Sequence, residues 1–100
     1  MSQPSADSGN PPALLKASGP RLVIANAHVL KEQGMSLINA GATNLIIDLA
    51  EIEFIDSSGI GALIGLRKNL KHGQVTLKNQ TKFVQLVLRK TKTDLVFNIA

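Results

Sequence analysis

Residues 45–61 decide the fold, and they read LIIDLAEIEFIDSSGIG. The first five, residues 45–49, form a nearly continuous aliphatic run, which is typical of a central strand covered on both faces. After a turn, residues 54–55 can form a second short strand. The polar segment 56–59 then stands where that strand gives way to a helix. We predict that this helix continues to about residue 70 or 71 and is ended by His72-Gly73.

Strand-like and helix-like patterns alternate outward from this unit. Upstream, residues 21–25 predict a strand, and Asn26 is a plausible N-cap for a helix that runs to about Ala40. Gly41 is placed to end that helix. Gly34 lies in its interior, where glycine costs about 1 kcal/mol relative to alanine, so we expect close packing at that position.

Downstream, Thr81 can cap a third helix. Two further strands are predicted in this part of the chain, one around Val75 and Leu77 and a last one at residues 95–99. Near the N-terminus, residues 13–15 could form an edge strand. The third helix should bury Phe83, Val84, Val87 and Leu88. The parallel crossover runs from residues 45–49 through the second helix to Val75–Leu77. The order predicts an α/β sandwich, with a mixed sheet of about four to five strands and helices packed alongside.

The chain has 100 residues, enough for one domain with one hydrophobic core. All four prolines fall in the first twenty residues, so we expect a disordered N-terminal tail at residues 1–12 and a folded domain at residues 13–100. No apolar run approaches the ~18–20 residues that a membrane span needs, and no signal pattern opens the chain. These features predict a cytoplasmic protein without membrane contact.

The net charge is +4, which raises the question of nucleic acid as a partner. Eight basic and no acidic residues lie between Ser57 and Thr93, while Asp48, Glu51, Glu53 and Asp56 precede them. A nucleic-acid binder usually adds stacking aromatics to such a basic surface, but the chain has no Tyr or Trp. We therefore expect no direct nucleic-acid binding, and cations that solvate helices or steer a protein partner.

Catalytic and metal chemistry find little support in the sequence. The chain has no cysteine, and His28 and His72 lack a second ligand at metal spacing. No Gly-x-Ser-x-Gly elbow surrounds Ser57, and the glycines that follow it are too sparse for a phosphate-cradling loop. We expect no catalytic residue, no metal, no cofactor and no enzymatic activity.

Ser57 is the residue with the most functional promise, and local chemistry gives it two interpretations. The segment Asp56-Ser57-Ser58-Gly59 opens a helix whose first amides lack intrahelical partners and carry partial positive charge. A phosphate on Ser57 would be stabilised there. Asp and Ser are also favoured N-cap residues, and local chemistry alone favours an ordinary cap.

A helical projection of the second helix separates its faces. Ala62, Leu63, Leu66 and Leu70 should face the sheet. A second stripe passes back to Ser57 and forms a possible partner-binding ridge, which consists of Ile60, Ile64, Arg67, Lys68 and Lys71. The alternative is that the two isoleucines belong to the core.

Residues 45–49 and 54–61, together with GQVTL at residues 73–77 and TDLVFNI at residues 93–99, resemble the STAS domain family. That family includes bacterial anti-sigma factor antagonists. The resemblance implies that Ser57 is the phosphorylated residue and that Asp56, Ser58 and Gly59 support it. It implies two partners, a serine kinase and anti-sigma factor of the GHKL ATPase type and a PP2C-like serine phosphatase. The unmodified form would bind the kinase and release its client.

The sequence departs from the family before the first helix, where IANAH at residues 24–28 replaces a turn of the Gly-Glu-Leu-Asp kind. In this feature the chain also resembles STAS proteins attached to lipid-transport complexes. The alternative function is therefore an accessory subunit of a lipid or ion transporter, in which Ser57 is only a cap.

Overall fold

A computed structural model describes residues 11–70 and 72–100. The strands are β1 (Ala13–Lys16), β2 (Arg21–Leu22), β3 (Leu45–Asp48), β4 (Phe54–Ile55), β5 (Val75–Lys78) and β6 (Asn98–Ile99). The helices are α1 (Ala27–Asn39), α2 (Ser57–Asn69) and α3 (Lys82–Lys90), and a 3-10 turn covers Thr93–Leu95. Within the described residues no helix is both long and apolar enough to cross a bilayer. Residues 1–10 of the predicted tail lie outside the described part of the chain.

Two parallel sheets organise the domain. The larger has the order β1-β3-β5-β6, and the smaller pairs β2 with β4. The predicted crossover from β3 through α2 to β5 is confirmed, with Leu45 opposite Val75 and Ile47 opposite Leu77. The α/β fold class is confirmed as well. The pairings among the described strands are all parallel, where we expected a mixed sheet.

The prediction that β3 is covered on both faces is wrong. Leu45 and Ile47 are fully buried, whereas Ile46 between them is only partly buried. Its neighbour across the strands, Leu14, is 69% exposed. Burial therefore alternates along the strand, because the core lies on one face of the larger sheet. The run of aliphatic residues hid this alternation.

Close packing of α1 against α2 confirms the prediction for Gly34. A Cβ atom at Gly34 would lie 2.5 Å from Cδ2 of Leu66, which is itself fully buried in α2. Gly41 follows α1 with a φ of 111°, a left-handed conformation that glycine adopts readily. Asn26 precedes α1, but its Oδ1 accepts from the Val23 amide at 2.9 Å instead of capping the helix.

Two predicted strands are shorter than expected. The first ends at Leu22, because the Ala27 amide donates to the Val23 carbonyl at 2.8 Å and closes a turn. The last begins only at Asn98, since Lys92 adopts a φ of 59° and the Thr93 hydroxyl donates to the Leu88 carbonyl. Both contacts hold the chain in a turn where the apolar pattern alone favoured a strand.

The cap of α3 is confirmed, since Thr81 Oγ1 accepts from the Val84 amide at 3.4 Å. Val84 and Leu88 are buried and Val87 packs partly against the core. Phe83, which we expected on the same inner face, is instead 41% exposed.

Candidate functional site

Asp56 fixes the start of α2. Its backbone is extended, and its Oδ1 accepts from the Gly59 amide at 3.0 Å, which is the geometry of a helix N-cap. The Asp56 carbonyl accepts from the Ile60 amide at 3.1 Å, and its own amide donates to the Leu22 carbonyl at 3.2 Å. One residue therefore ties α2 to the smaller sheet.

Gly59 allows α2 to approach that sheet closely. A Cβ atom at Gly59 would lie 2.5 Å from the Leu22 carbonyl oxygen and 2.7 Å from Cγ1 of Ile55. Real Cβ atoms essentially never come that close to a neighbour. Glycine is therefore required for packing at this position, in addition to its place in the Asp-Ser-Ser-Gly segment.

Ser57 is the first residue of α2 and is exposed, whereas Ser58 is partly buried. The amides of both serines belong to the first helical turn, where no intrahelical acceptor is available and the dipole adds positive charge. Since Asp56 already occupies the Gly59 amide, the cap does not depend on the Ser57 side chain. Ser57 is therefore an exposed residue whose side chain is not needed for the cap.

Replacing Asp56 with alanine should lower the free energy of unfolding by about 1 kcal/mol, because the Gly59 amide loses its acceptor. Urea denaturation followed by circular dichroism measures the change. Asp56→Asn is the control, since its side-chain oxygen can still accept and should retain most of the stability. Equal losses in the two variants would contradict a capping role.

The predicted partner-binding ridge is wrong at Ile60. This residue is only 8% exposed and belongs to the core, and Ile64 is partly buried against the core. The reason is that the first turn of α2 packs closely on the smaller sheet, where Gly59 lies against Leu22 and Ile55. The buried face of α2 is therefore wider than the helical projection indicated.

The basic members of the ridge have different positions. Lys68 is exposed and Arg67 is partly buried on the last turn of α2. Lys71 lies outside the described residues. The ridge next to Ser57 thus retains cations at the far end of the helix but has no exposed isoleucine near the serine.

Three of the four acidic residues upstream of Ser57 have different partners. Lys16 pairs with Glu51 at 2.8 Å between exposed side chains, which raises the pKa of Lys16 and lowers that of Glu51. The Ala50 amide, followed by the Asn79 side chain, lowers the pKa of Asp48 by donating to its carboxylate. Of the carboxylates in this group, Asp56 is the one that contacts the start of α2.

Both histidines are exposed. Among the described residues, no three His, Cys, Asp or Glu side chains lie close enough to hold a metal ion.

Sequence reasoning missed an aromatic cluster at β4, the short strand that precedes α2. The rings of Phe54 and Phe83 stack with their centroids 5.3 Å apart and an interplanar angle of 23°. The Arg21 guanidinium carbon lies 4.9 Å from the centre of the Phe54 ring. The alternation of Phe54 with buried Ile55 could have indicated an outward-facing ring. Its pairing with a residue of α3 depends on tertiary structure.

The chain is an α/β domain in which the helix that connects β3 to β5 begins at an exposed serine. The chain belongs to the STAS domain family, whose model matches residues 4–100. No curated protein matches the chain.

Solved structures of similar fold come from regulators and from a transporter. A candidate anti-sigma factor antagonist from Thermotoga maritima, TM1081, matches with a TM-score of 0.76 and 26% identity, over 86% of this chain and 77% of its own. The anti-sigma factor antagonist SpoIIAA, in its unphosphorylated form, gives 0.71 and 19% over 87% and 77% of the two chains. The murine anion transporter Slc26a9 gives 0.69 and 20%, over 86% of this chain but 15% of its own. The last two similarities establish the fold alone.

Proposed function

We propose that this chain is a cytoplasmic, non-enzymatic regulator of the anti-sigma factor antagonist type, switched by phosphorylation of Ser57. In its unmodified form it binds a serine kinase and anti-sigma factor of the GHKL ATPase type, and the kinase then releases its client. Phosphorylation of Ser57 dissociates the complex with the kinase, and a PP2C-like serine phosphatase restores the unmodified form.

The observation that carries this proposal is that Ser57 is exposed at the first turn of α2, beside a cap that Asp56 completes without the serine side chain. The 26% identity to a candidate antagonist over most of both chains supports the same class of function. The helix start suits the modified state too, because unpaired first-turn amides and the helix dipole stabilise a phosphate.

Charge and desolvation explain how the switch works. The Ser57 hydroxyl oxygen forms a bond to the γ-phosphorus of ATP while the bond from that phosphorus to ADP breaks. ADP leaves and the hydroxyl proton is released. The product carries about −1.5 to −2 charges at neutral pH, next to the Asp56 carboxylate. In a contact from which water is excluded, this charge opposes binding, and each tenfold loss of affinity needs only about 1.4 kcal/mol.

Phosphorylation by a GHKL-type serine kinase from the same genome, beginning with any that is encoded beside this chain, tests the proposal. The wild-type chain should gain one phosphate in the presence of Mg-ATP, and Ser57→Ala should gain none. Ser58→Ala is the matched control, because it removes the adjacent hydroxyl and should be phosphorylated normally. Mass spectrometry of the intact chain and its peptides measures both. Equal phosphorylation of wild type and Ser57→Ala would overturn the assignment.

A similar fold forms part of an anion transporter, so the second candidate is an accessory STAS subunit of a lipid or ion transporter without a phospho-switch. In that case no kinase modifies the chain, and Ser57 only begins α2. If the chain copurifies with a membrane transporter, and the Ser57→Asp variant copurifies equally well, the result would favour this candidate over the first.

A further inference from the structure

Two of the three phenylalanines of this chain lie on its surface. Phe54 is 37% exposed and Phe83 is 41% exposed, whereas Phe97 is buried. The two exposed rings stack on each other and Arg21 covers Phe54. We call these three residues, Arg21, Phe54 and Phe83, the aromatic patch.

The aromatic patch is ordered by its own contacts. A guanidinium over a phenyl face is attracted by the ring quadrupole, and stacked rings restrain each other. Because Arg21 and Phe54 are also paired residues of β2 and β4, backbone hydrogen bonding fixes their spacing. A surface that is already ordered loses less conformational entropy when a partner binds. Aromatic and arginine side chains are also enriched among the residues that dominate binding energy.

The patch lies within reach of any protein that engages Ser57. Phe54 and Ser57 are three residues apart, so their Cα atoms are separated by at most about 11 Å. A standard protein interface covers about 800 Å² on each partner, equal to a disc of about 16 Å radius. A kinase bound over Ser57 therefore extends far enough to contact Phe54 and the ring stacked on it.

We propose that the aromatic patch is a docking surface for the kinase that phosphorylates Ser57, an inference that rests on the proposed function. The kinase surface that fits it offers an apolar side chain to the two rings and a carboxylate to Arg21. Exposed Lys82 stands beside Phe83 and adds a second cation. The nearby carboxylates are exposed Glu53 and partly buried Asp56, whose Oδ1 accepts from the Gly59 amide. The exposed charges therefore favour an acidic partner surface.

A docking surface away from the reacting hydroxyl affects recognition more than chemistry. Phe83 belongs to α3, so its side chain can be shortened without altering the cap of α2 at Asp56 and Gly59. We expect Phe83→Ala to raise the KM for phosphorylation of Ser57 by about tenfold and to leave kcat unchanged. Leu14→Ala is the control, because it shortens an exposed apolar side chain on the larger sheet and should leave KM at the wild-type value.

Steady-state phosphorylation kinetics with the GHKL-type kinase measure both parameters, and circular dichroism confirms that each variant is folded. A second variant, Arg21→Glu, should also raise KM and do so more strongly at low salt, since screening weakens the repulsion. If Phe83→Ala does not fold, the Arg21→Glu variant still tests the docking surface.

The outcomes separate the two proposals. An unchanged KM in folded Phe83→Ala and in Arg21→Glu, with normal phosphorylation of Ser57, would overturn the docking surface and leave the switch intact. A fall in kcat at constant KM would overturn it too, because that result indicates disturbance of the serine itself. Failure of the wild-type chain to bind the kinase or gain phosphate would overturn both proposals.

Discussion

Gly59→Ala is expected to lower the free energy of unfolding by about 3 kcal/mol. The added Cβ would meet the Leu22 carbonyl oxygen at 2.5 Å, and this atom belongs to the backbone of β2. It cannot rotate away as the end of a side chain could. Either α2 or the smaller sheet must therefore shift, and the hydrogen bond between the Asp56 amide and the same carbonyl is strained with it. Urea denaturation followed by circular dichroism measures the loss.

Gly61 provides the matched control on the same helix. A Cβ atom there meets nothing within 4 Å, so Gly61→Ala should raise the free energy of unfolding by about 0.5–1 kcal/mol through helix propensity alone. The two substitutions are chemically identical, lie two residues apart and should have opposite signs. A stabilising or neutral Gly59→Ala would show that α2 does not pack against Leu22 as described.

The elements near residues 45–61 could be predicted from sequence because their signals are local. Asp56 is a strong N-cap residue, and its bond to the Gly59 amide is a contact between residues three apart. The crossover follows from two apolar runs on either side of one helix, and β3 and β5 are paired in parallel. The resemblance of the same segment to the STAS family was confirmed by the family match over residues 4–100.

What could not be predicted depends on contacts between distant segments. Projection of α2 left Ile60 either on a surface ridge or in the core, because a helical wheel does not show how many faces of the helix are buried. The smaller sheet, formed by residues 21–22 and 54–55, provides a second buried face at the start of α2, and strands of two residues leave almost no periodic signal. The stacking of Phe54 on Phe83 is hidden for the same reason, since the two rings come from elements far apart in the chain.

The position of Ser57 depends on the packing of α2 against α1, and Leu66 is central to that contact. Leu66 is fully buried, so Leu66→Ala should lower the free energy of unfolding by about 2–5 kcal/mol through lost burial and the cavity that remains. Leu14→Ala removes the same atoms from a largely exposed position and should change stability by no more than about 0.5 kcal/mol.

Gly34→Ala tests the same contact from the side of α1. In the wild-type background its Cβ would lie 2.5 and 2.7 Å from the two Cδ atoms of Leu66, which should cost about 1–3 kcal/mol by overpacking. In the Leu66→Ala background those atoms are absent. The added methyl group should then fill part of the cavity and benefit from the helix propensity of alanine.

The double variant is therefore expected to be more stable than Leu66→Ala alone, with a coupling of about 1–3 kcal/mol measured by a double-mutant cycle in urea. Additive losses would mean that Gly34 and Leu66 do not share this contact, and the described packing of α1 on α2 would be wrong. If compensation is observed, the pair at residues 34 and 66 sets how closely the two helices approach. The spacing between α1 and the helix that begins at Ser57 is then determined by a glycine whose only local signal was its cost to helix formation.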